Sequence, residues 1–461
     1  MAAELPANAP RAVALAQRMD TAHLAHGQMF AISAMWFALS VVWGALLTLV
    51  VPTQVEDILR RQGLSSVEVT AQKGLFVGLV IAAGAVIALI VPPLVGAYSD
   101  QSTHRLGRRR PFVLVGVLIT LAGLLGMITP PSMLIYGVFY LLMQLGSNTA
   151  VAAYQGLIPD LVPEQQRGHA SGWMGMMTIA GNIVGLLLGS VGLARAHAED
   201  LLTAGQQWLV YGIIIAILLV FLGITLFGVR ETPLPAGTPR AGLGDILKSL
   251  WIDPRRHPDF AWVWITRFLV TMGFNTVQFF LLYFLQDVIG IGRDKLSAYG
   301  GFMFLGLLLS AAVTSIVSGR ISDRKGRKPL IFVAGSVMAL MGVAFIFLSS
   351  LQTPGLFPEG AFNTVFYIGI GFGIGYGTYQ AVDWALGTDV LPNKETGAAK
   401  DMGVWHISFV LPQVLATLIS GWLLYAFAAF EPTTRYGLVF AASILYFVLG
   451  TVLVRNVRGV R

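Results

Sequence analysis

One motif occurs twice in this chain, and it fixes the plan of the whole molecule. Residues 96–111 read Gly-Ala-Tyr-Ser-Asp-Gln-Ser-Thr-His-Arg-Leu-Gly-Arg-Arg-Arg-Pro, and residues 319–329 read Gly-Arg-Ile-Ser-Asp-Arg-Lys-Gly-Arg-Lys-Pro. Each copy is a short basic hairpin between two long apolar stretches. A polar hairpin repeated between hydrophobic segments requires two similar halves, each built from helices that satisfy their own backbone in lipid. Composition agrees. The chain is 56% hydrophobic and 11% charged, whereas a soluble domain carries about 25% charged residues.

A membrane helix needs about 20 mostly apolar residues. Twelve stretches qualify, at 28–52, 74–98, 112–130, 133–158, 170–193 and 207–228, then 260–286, 297–319, 330–350, 361–388, 402–426 and 434–455. The polar stretch 229–259, with Pro233, Pro235, Pro239, Pro254 and Pro258, reads as the linker between the halves. The expected division is a tail at 1–27, a six-helix bundle at 28–228, the linker at 229–259, and a second bundle with a short tail at 260–461. The expected fold is an all-α membrane protein of twelve transmembrane helices in two pseudo-symmetric bundles. The repeat extends beyond the hairpin: Pro159-Asp160-Leu-Val-Pro163 with Gly168 matches Thr388-Asp389-Val-Leu-Pro392 with Gly397, at a constant offset of 229 residues.

Charge sets the orientation. Of 30 Lys and Arg, 22 fall on the side of the two hairpins and the termini, 7 fall on the other side, and Arg267 lies within a span. The positive-inside rule then places both termini in the cytoplasm. The basic net charge of +7 is spread over loops between spans, so it points away from nucleic acid. The polar start of the chain lacks a short apolar core before a small-residue cleavage site, so the first span is expected to act as an uncleaved insertion signal. Without cysteine, disulfides, thiol catalysis and Cys-ligated metal are excluded. No phosphate-binding Gly-Lys-Ser/Thr loop, zinc motif or nucleophile elbow is present, so neither an ATP-driven pump nor an enzyme is expected, and no cofactor or metal.

Twelve spans, two six-helix halves and the hairpin at 319–329 resemble the major facilitator superfamily. The first hairpin, longer and ending Gly107-Arg-Arg-Arg-Pro111, is similar to that of the glycoside–pentoside–hexuronide:cation symporters, above all the sucrose-transporter branch. Gly181-Asn182-Ile-Val-Gly185 and Val410-Leu-Pro412-Gln413 resemble the same branch. The resemblance implies a secondary transporter of the cytoplasmic membrane, carrying a neutral sugar and coupled to a proton or sodium. In the sucrose transporters an aspartate for proton coupling precedes an Asn-Thr pair in span four. Here the pair is Asn148-Thr149 and the matching position is Gln144. An amide does not titrate, so either another residue couples or the carrier is a uniporter.

The residues themselves suggest where such a site lies. In the hairpins, Gly96, Asp100, Arg108, Arg109, Gly319, Asp323, Arg324 and Arg327 are expected to form a charge latch that closes the cytoplasmic side. The plain alternative is topology signalling by positive charge alone. Arg267 and Asp383 lie inside spans at similar depth, where ionisable residues are costly and default to function; a coupling pair and a structural salt bridge are equal readings. His406 is a possible proton carrier or a hydrogen-bonded helix-end histidine. Tyr376, Tyr379, Gln380 and Asp383 share one face of span ten at i, i+3, i+4, i+7. Gln144, Asn148 and Gln155 in span four, Asn275 and Gln278 in span seven, and Gln413 in span eleven can donate to and accept from hydroxyls, or they tie helices together. Of the span-one indoles, Trp43 suits a sugar ring face, and Trp36 fits lipid or the interface better.

The expectation is a monomeric sugar carrier working by alternating access in the lipid bilayer. A drug or metabolite exporter, and a non-transporting sensor or assembly factor with the same fold, are the alternatives. The charge asymmetry makes a direct prediction. A phosphatase reporter fused after Arg195 will be active outside the membrane, and one fused after Arg455 will be inactive. The reverse pattern would overturn the orientation.

Overall fold

The computed structural model describes residues 24–193, 201–231, 242–393, 397–427 and 429–458. Most of the expected N-terminal tail, residues 232–241 of the linker and the last three residues lie outside them. Twelve long helices follow in order: α1 His26–Ala45, α2 Ser66–Asp100, α3 Arg110–Met127, α4 Met133–Tyr154, α5 Arg167–Gly192, α6 Ala204–Gly228, α7 Pro258–Asp287, α8 Arg293–Lys325, α9 Arg327–Leu348, α10 Gly360–Asp389, α11 Ala398–Ala426 and α12 Pro432–Leu453. A π-turn at Leu46–Val50 carries α1 on into a further helical stretch, Val51–Arg61. A short helix, Leu243–Ser249, lies in the linker. Eleven of the twelve are long and apolar enough to cross a membrane. The exception is α10, whose repeated glycines and polar stripe dilute its apolarity.

The packing repeats. In the first half α1 lies on α5 and α6, and α4 on α2 and α3; in the second α7 lies on α11 and α12, and α10 on α8 and α9. The halves meet along two related seams, α2 against α11 and α5 against α8. Contact there is close because small residues stand at the crossings. A Cβ on Gly96 would sit 2.4 Å from the Ala399 carbonyl oxygen, and one on Gly319 would sit 2.4 Å from that of Gly168.

Both hairpins build the same charge network. Arg109, fully buried, donates to Ser99 at 2.6 Å, Asp100 at 2.6 Å and Asp160 at 2.9 Å. Arg327 donates to Ser322 at 3.1 Å, Asp323 at 2.6 Å and Asp389 at 3.1 Å. Each hairpin aspartate then crosses to the other bundle. Asp100 accepts from the backbone N–H groups of Ala399 (3.1 Å) and Lys400 (2.9 Å) at the start of α11. Asp323 accepts from those of Gly168 (2.8 Å) and His169 (2.7 Å) at the start of α5. A carboxylate at a helix N-terminus satisfies otherwise orphaned donors and complements the helix dipole. Arg167 adds an inter-bundle ion pair to Asp389 at 3.2 Å. The chain is thus closed at the hairpin end. Arg324, expected within this network, is exposed and stands outside it, whereas Arg108 reaches Asp100 at 3.4 Å.

At the start of the linker, Glu231 accepts from the backbone N–H groups of Arg109 and Arg110 at 3.1 and 3.0 Å. Burial raises its carboxyl above the ordinary range, an effect those two amide donors only partly offset.

Breaking a buried ion pair leaves the partner charges uncompensated, at a cost of about 3–5 kcal/mol. Arg109→Ala is expected to lower the stability of the detergent-solubilised protein by that amount, and Arg324→Ala to change it by no more than about 0.5 kcal/mol. Equal melting temperatures for the two variants would show that the Arg109 network is dispensable.

Candidate functional site

On α10 the expected stripe forms, and its charged member finds its partner. Asp383 Oδ2 accepts from Arg267 Nη1 at 2.5 Å, and Asp383 Oδ1 accepts from the Tyr379 hydroxyl at 2.9 Å. Both ends of the ion pair are 2% exposed. The two residues come from α7, which leaves the hairpin end, and α10, which runs back to it. Asp383 is six residues before the end of α10, or about 9 Å at 1.5 Å per residue, so the pair lies on the hairpin side of the midplane.

Aromatic rings surround the Arg267 guanidinium. Its carbon lies 3.3 Å from the ring centre of Trp405, 5.4 Å from that of Trp384 and 5.5 Å from that of Phe409. The rings continue across the bundle interface: Trp384 meets Trp405 at 4.7 Å and Trp36 at 5.1 Å, and Trp36 meets Tyr154 at 6.0 Å. Beside them Gln155 of the first half lies 3.0 Å from His406 Nδ1 of the second.

The 229-residue offset exposes a pattern in these contacts. Gln155 and Trp384 occupy equivalent positions, and each reaches into the opposite bundle. Tyr154 and Asp383 are equivalent too. The Tyr154 hydroxyl accepts from Met35 N–H at 3.0 Å and donates to the Ile32 carbonyl, tying α4 to α1 as Asp383 ties α10 to α7. The ionisable centre is therefore one-sided, with a neutral tyrosine where the second half holds a carboxylate.

The other expected residues divide. Gln380 is buried on α10 beside Tyr379, and Tyr376 stacks on Phe274 at 3.8 Å. Gln144 donates to the Tyr140 hydroxyl at 2.7 Å, and Asn148 donates to the Gln144 carbonyl at 2.8 Å and side chain at 3.1 Å, so these amides are engaged within α4. Asn275 likewise bonds the Thr271 carbonyl of its own helix at 2.9 Å. Gln278 is exposed, Gln413 and Trp43 are half-buried, and none of the three touches the Arg267 group. Trp36, read from the sequence as a lipid or interface residue, is half-buried and joins the interfacial aromatic row through Tyr154 and Trp384. Trp384, Trp405, Phe409 and Tyr154 were not expected there. A signal existed, since Trp384 adjoins Asp383 and Trp405 adjoins His406, and an intramembrane charge needs polarisable company.

The arrangement brings a buried carboxylate, a cation held beside it, and indole faces with amide groups to the junction of the two bundles.

Comparison with known proteins places this geometry. Residues 28–400 match the sequence profile described as "Major Facilitator Superfamily". The general alpha-glucoside permease of Schizosaccharomyces pombe is 27% identical over 182 residues, 36% of this chain and 33% of that protein, so this match spans only a third of the relative. The sucrose transport protein SUC4 of Arabidopsis thaliana is 23% identical over 406 residues, 73% of this chain and 75% of that protein. Among solved structures, that of the proton:xylose symporter XylE superposes with a TM-score of 0.65 at 18% identity, covering 91% of this chain and 94% of XylE. The matched profile, the twelve-helix double bundle and the twin hairpin networks together make this multi-pass membrane protein a member of the major facilitator superfamily of transporters.

Proposed function

We propose that the protein carries a neutral sugar, a glycoside or disaccharide, across the cytoplasmic membrane by alternating access, and that a proton moving through Asp383 drives it. The observation that carries this reading is the Arg267–Asp383 pair, buried to 2% exposure and capped by Tyr379, where the two bundles meet among indole rings. A charged pair in the membrane is costly and defaults to function. Indole faces match the C–H faces of sugar rings, and amides match hydroxyls. The similar proteins include an alpha-glucoside permease, a sucrose transport protein and a proton:xylose symporter. With Gln144 at the span-four position, the coupling group is assigned to the second half instead. The hairpins and both termini face the cytoplasm on this reading, the bundles are 28–228 and 260–461, and the inter-bundle contacts at the hairpins hold the cytoplasmic side closed. The path lies within one chain, so a monomer suffices.

In this scheme the ion pair holds Arg267 while Asp383 is ionised. Protonation of Asp383 removes the attraction, and the altered balance of contacts favours the other of two packed arrangements. Proteoliposomes given an inward proton gradient are expected to accumulate sucrose or maltose saturably. Asp383→Asn is expected to abolish accumulation while retaining sugar exchange at equal pH on both sides. Wild-type uptake indifferent to the gradient would remove proton coupling, and no uptake of any sugar would remove the substrate class in favour of export.

A further inference from the structure

We propose that Trp405 is a positioning residue of the coupling centre, its indole face holding the Arg267 cation in place while Asp383 is neutral. This rests on the reading of Asp383 as the proton acceptor.

Geometry supports it. Arg267 makes one hydrogen bond to Asp383, through Nη1, and its Nε has no hydrogen-bond partner. The nearest of the rings around it is Trp405, with the guanidinium carbon 3.3 Å from the ring centre, against 5.4 Å for Trp384 and 5.5 Å for Phe409. Trp405 is fully buried, and its indole N–H has no hydrogen-bond partner. Burying an unpartnered N–H costs free energy, so tryptophan is a poor choice of filler here. What it adds over phenylalanine is the strongest cation-binding face among the side chains. The edge of the indole packs on Gly387, where a Cβ would lie 2.7 Å from Trp405 Cε2. Gly387 is one turn beyond Asp383 on α10, so the same helix face seats the carboxylate and backs the ring. Arg267 is thereby wedged between an anion and a π-face.

The groups that act on Asp383 are Arg267 from α7 and Tyr379 on α10 itself. Tyr376 on α10 lies within reach of both charges, and His406 on α11 lies within reach of Arg267. Across the interface α1 and α4 present neutral groups, Trp36, Tyr154 and Gln155. Among the described residues no other charge from α5, α8 or α9, which also pack on α10, acts on this carboxylate.

When Asp383 takes a proton, Arg267 loses its counter-charge but stays buried in a membrane. The ring then becomes its main partner. The face matters more to that state than to the ion-paired one, where the carboxylate already holds the cation. Removing the face therefore makes protonation of the centre harder.

The test is the pH profile of gradient-driven uptake in proteoliposomes. Trp405→Leu is expected to move its midpoint by about half to one unit toward acid. Trp405→Phe, which keeps a weaker face, is expected to shift it less, with the KM for sugar at acid pH unchanged in both. A wild-type midpoint in either folded variant overturns the proposal, as does a raised KM with no shift, which would make Trp405 a sugar contact. Should Trp405→Leu fail to fold, Trp405→Phe and Trp405→Tyr decide, since a packing role predicts no shift in either. Failure of the underlying reading is separate: Asp383→Asn would then accumulate sugar with the wild-type pH profile.

Discussion

A charge withdrawn from water must be matched where it lies, and this chain is organised by how it meets that demand. Four of its buried or half-buried carboxylates, Asp100, Asp160, Asp323 and Asp389, are gathered by two arginines, Arg109 and Arg327. The lone pairs left over on Asp100 and Asp323 are spent on helix N-termini of the opposite bundle. Each aspartate thus has two tasks. Within its own half it orders the hairpin, and between halves it holds the seam. The second bond is made to first-turn backbone N–H groups of the opposite bundle, within reach only when the bundles approach, so rigid-body motion can break and remake it without disturbing the first. This is what a two-state closure requires.

The small residues at the seams serve the same end. The carboxylates reach the opposing helix starts because Gly96 and Gly319 let backbones approach to contact distance. A Cβ at either place would meet the opposing carbonyl oxygen at 2.4 Å and push the bundles apart, stretching these bonds. Packing and electrostatics are therefore one device at the hairpin end.

At the centre the symmetry is broken. Equivalent positions hold Tyr154 and Asp383, and equivalent neighbours hold Gln155 and Trp384. The backbone plan repeats while the chemistry does not. The neutral half joins its helices by a hydroxyl bridging two backbone groups, a fixed bond insensitive to a proton gradient. The charged half joins them by an ion pair whose strength depends on protonation. Under the proposed coupling, a duplicated scaffold with one titratable half gives a single switch rather than two competing ones.

Much of this was legible in the sequence. Length and apolarity of each stretch fixed twelve spans, because lipid admits few alternatives to helices. The repeated hairpin and the 229-residue offset fixed the two halves, and the i, i+3, i+4, i+7 spacing put Tyr376, Tyr379, Gln380 and Asp383 on one face. Even α10, whose glycines and polar stripe lower its apolarity, was counted at 361–388 among the spans. What the chain order could not carry was which faces of different helices meet. Only the tertiary structure decided that Arg267 bonds Asp383 while lying on Trp405, that Trp36 rather than Trp43 joins the interface, that Arg324 stays outside the hairpin network, and that Gln144 and Asn148 are engaged within α4. The physical reason is the same in each case. Periodicity states which residues share a side of one helix, whereas the partner across a gap depends on helix rotation and crossing, set by the packing of all twelve helices together.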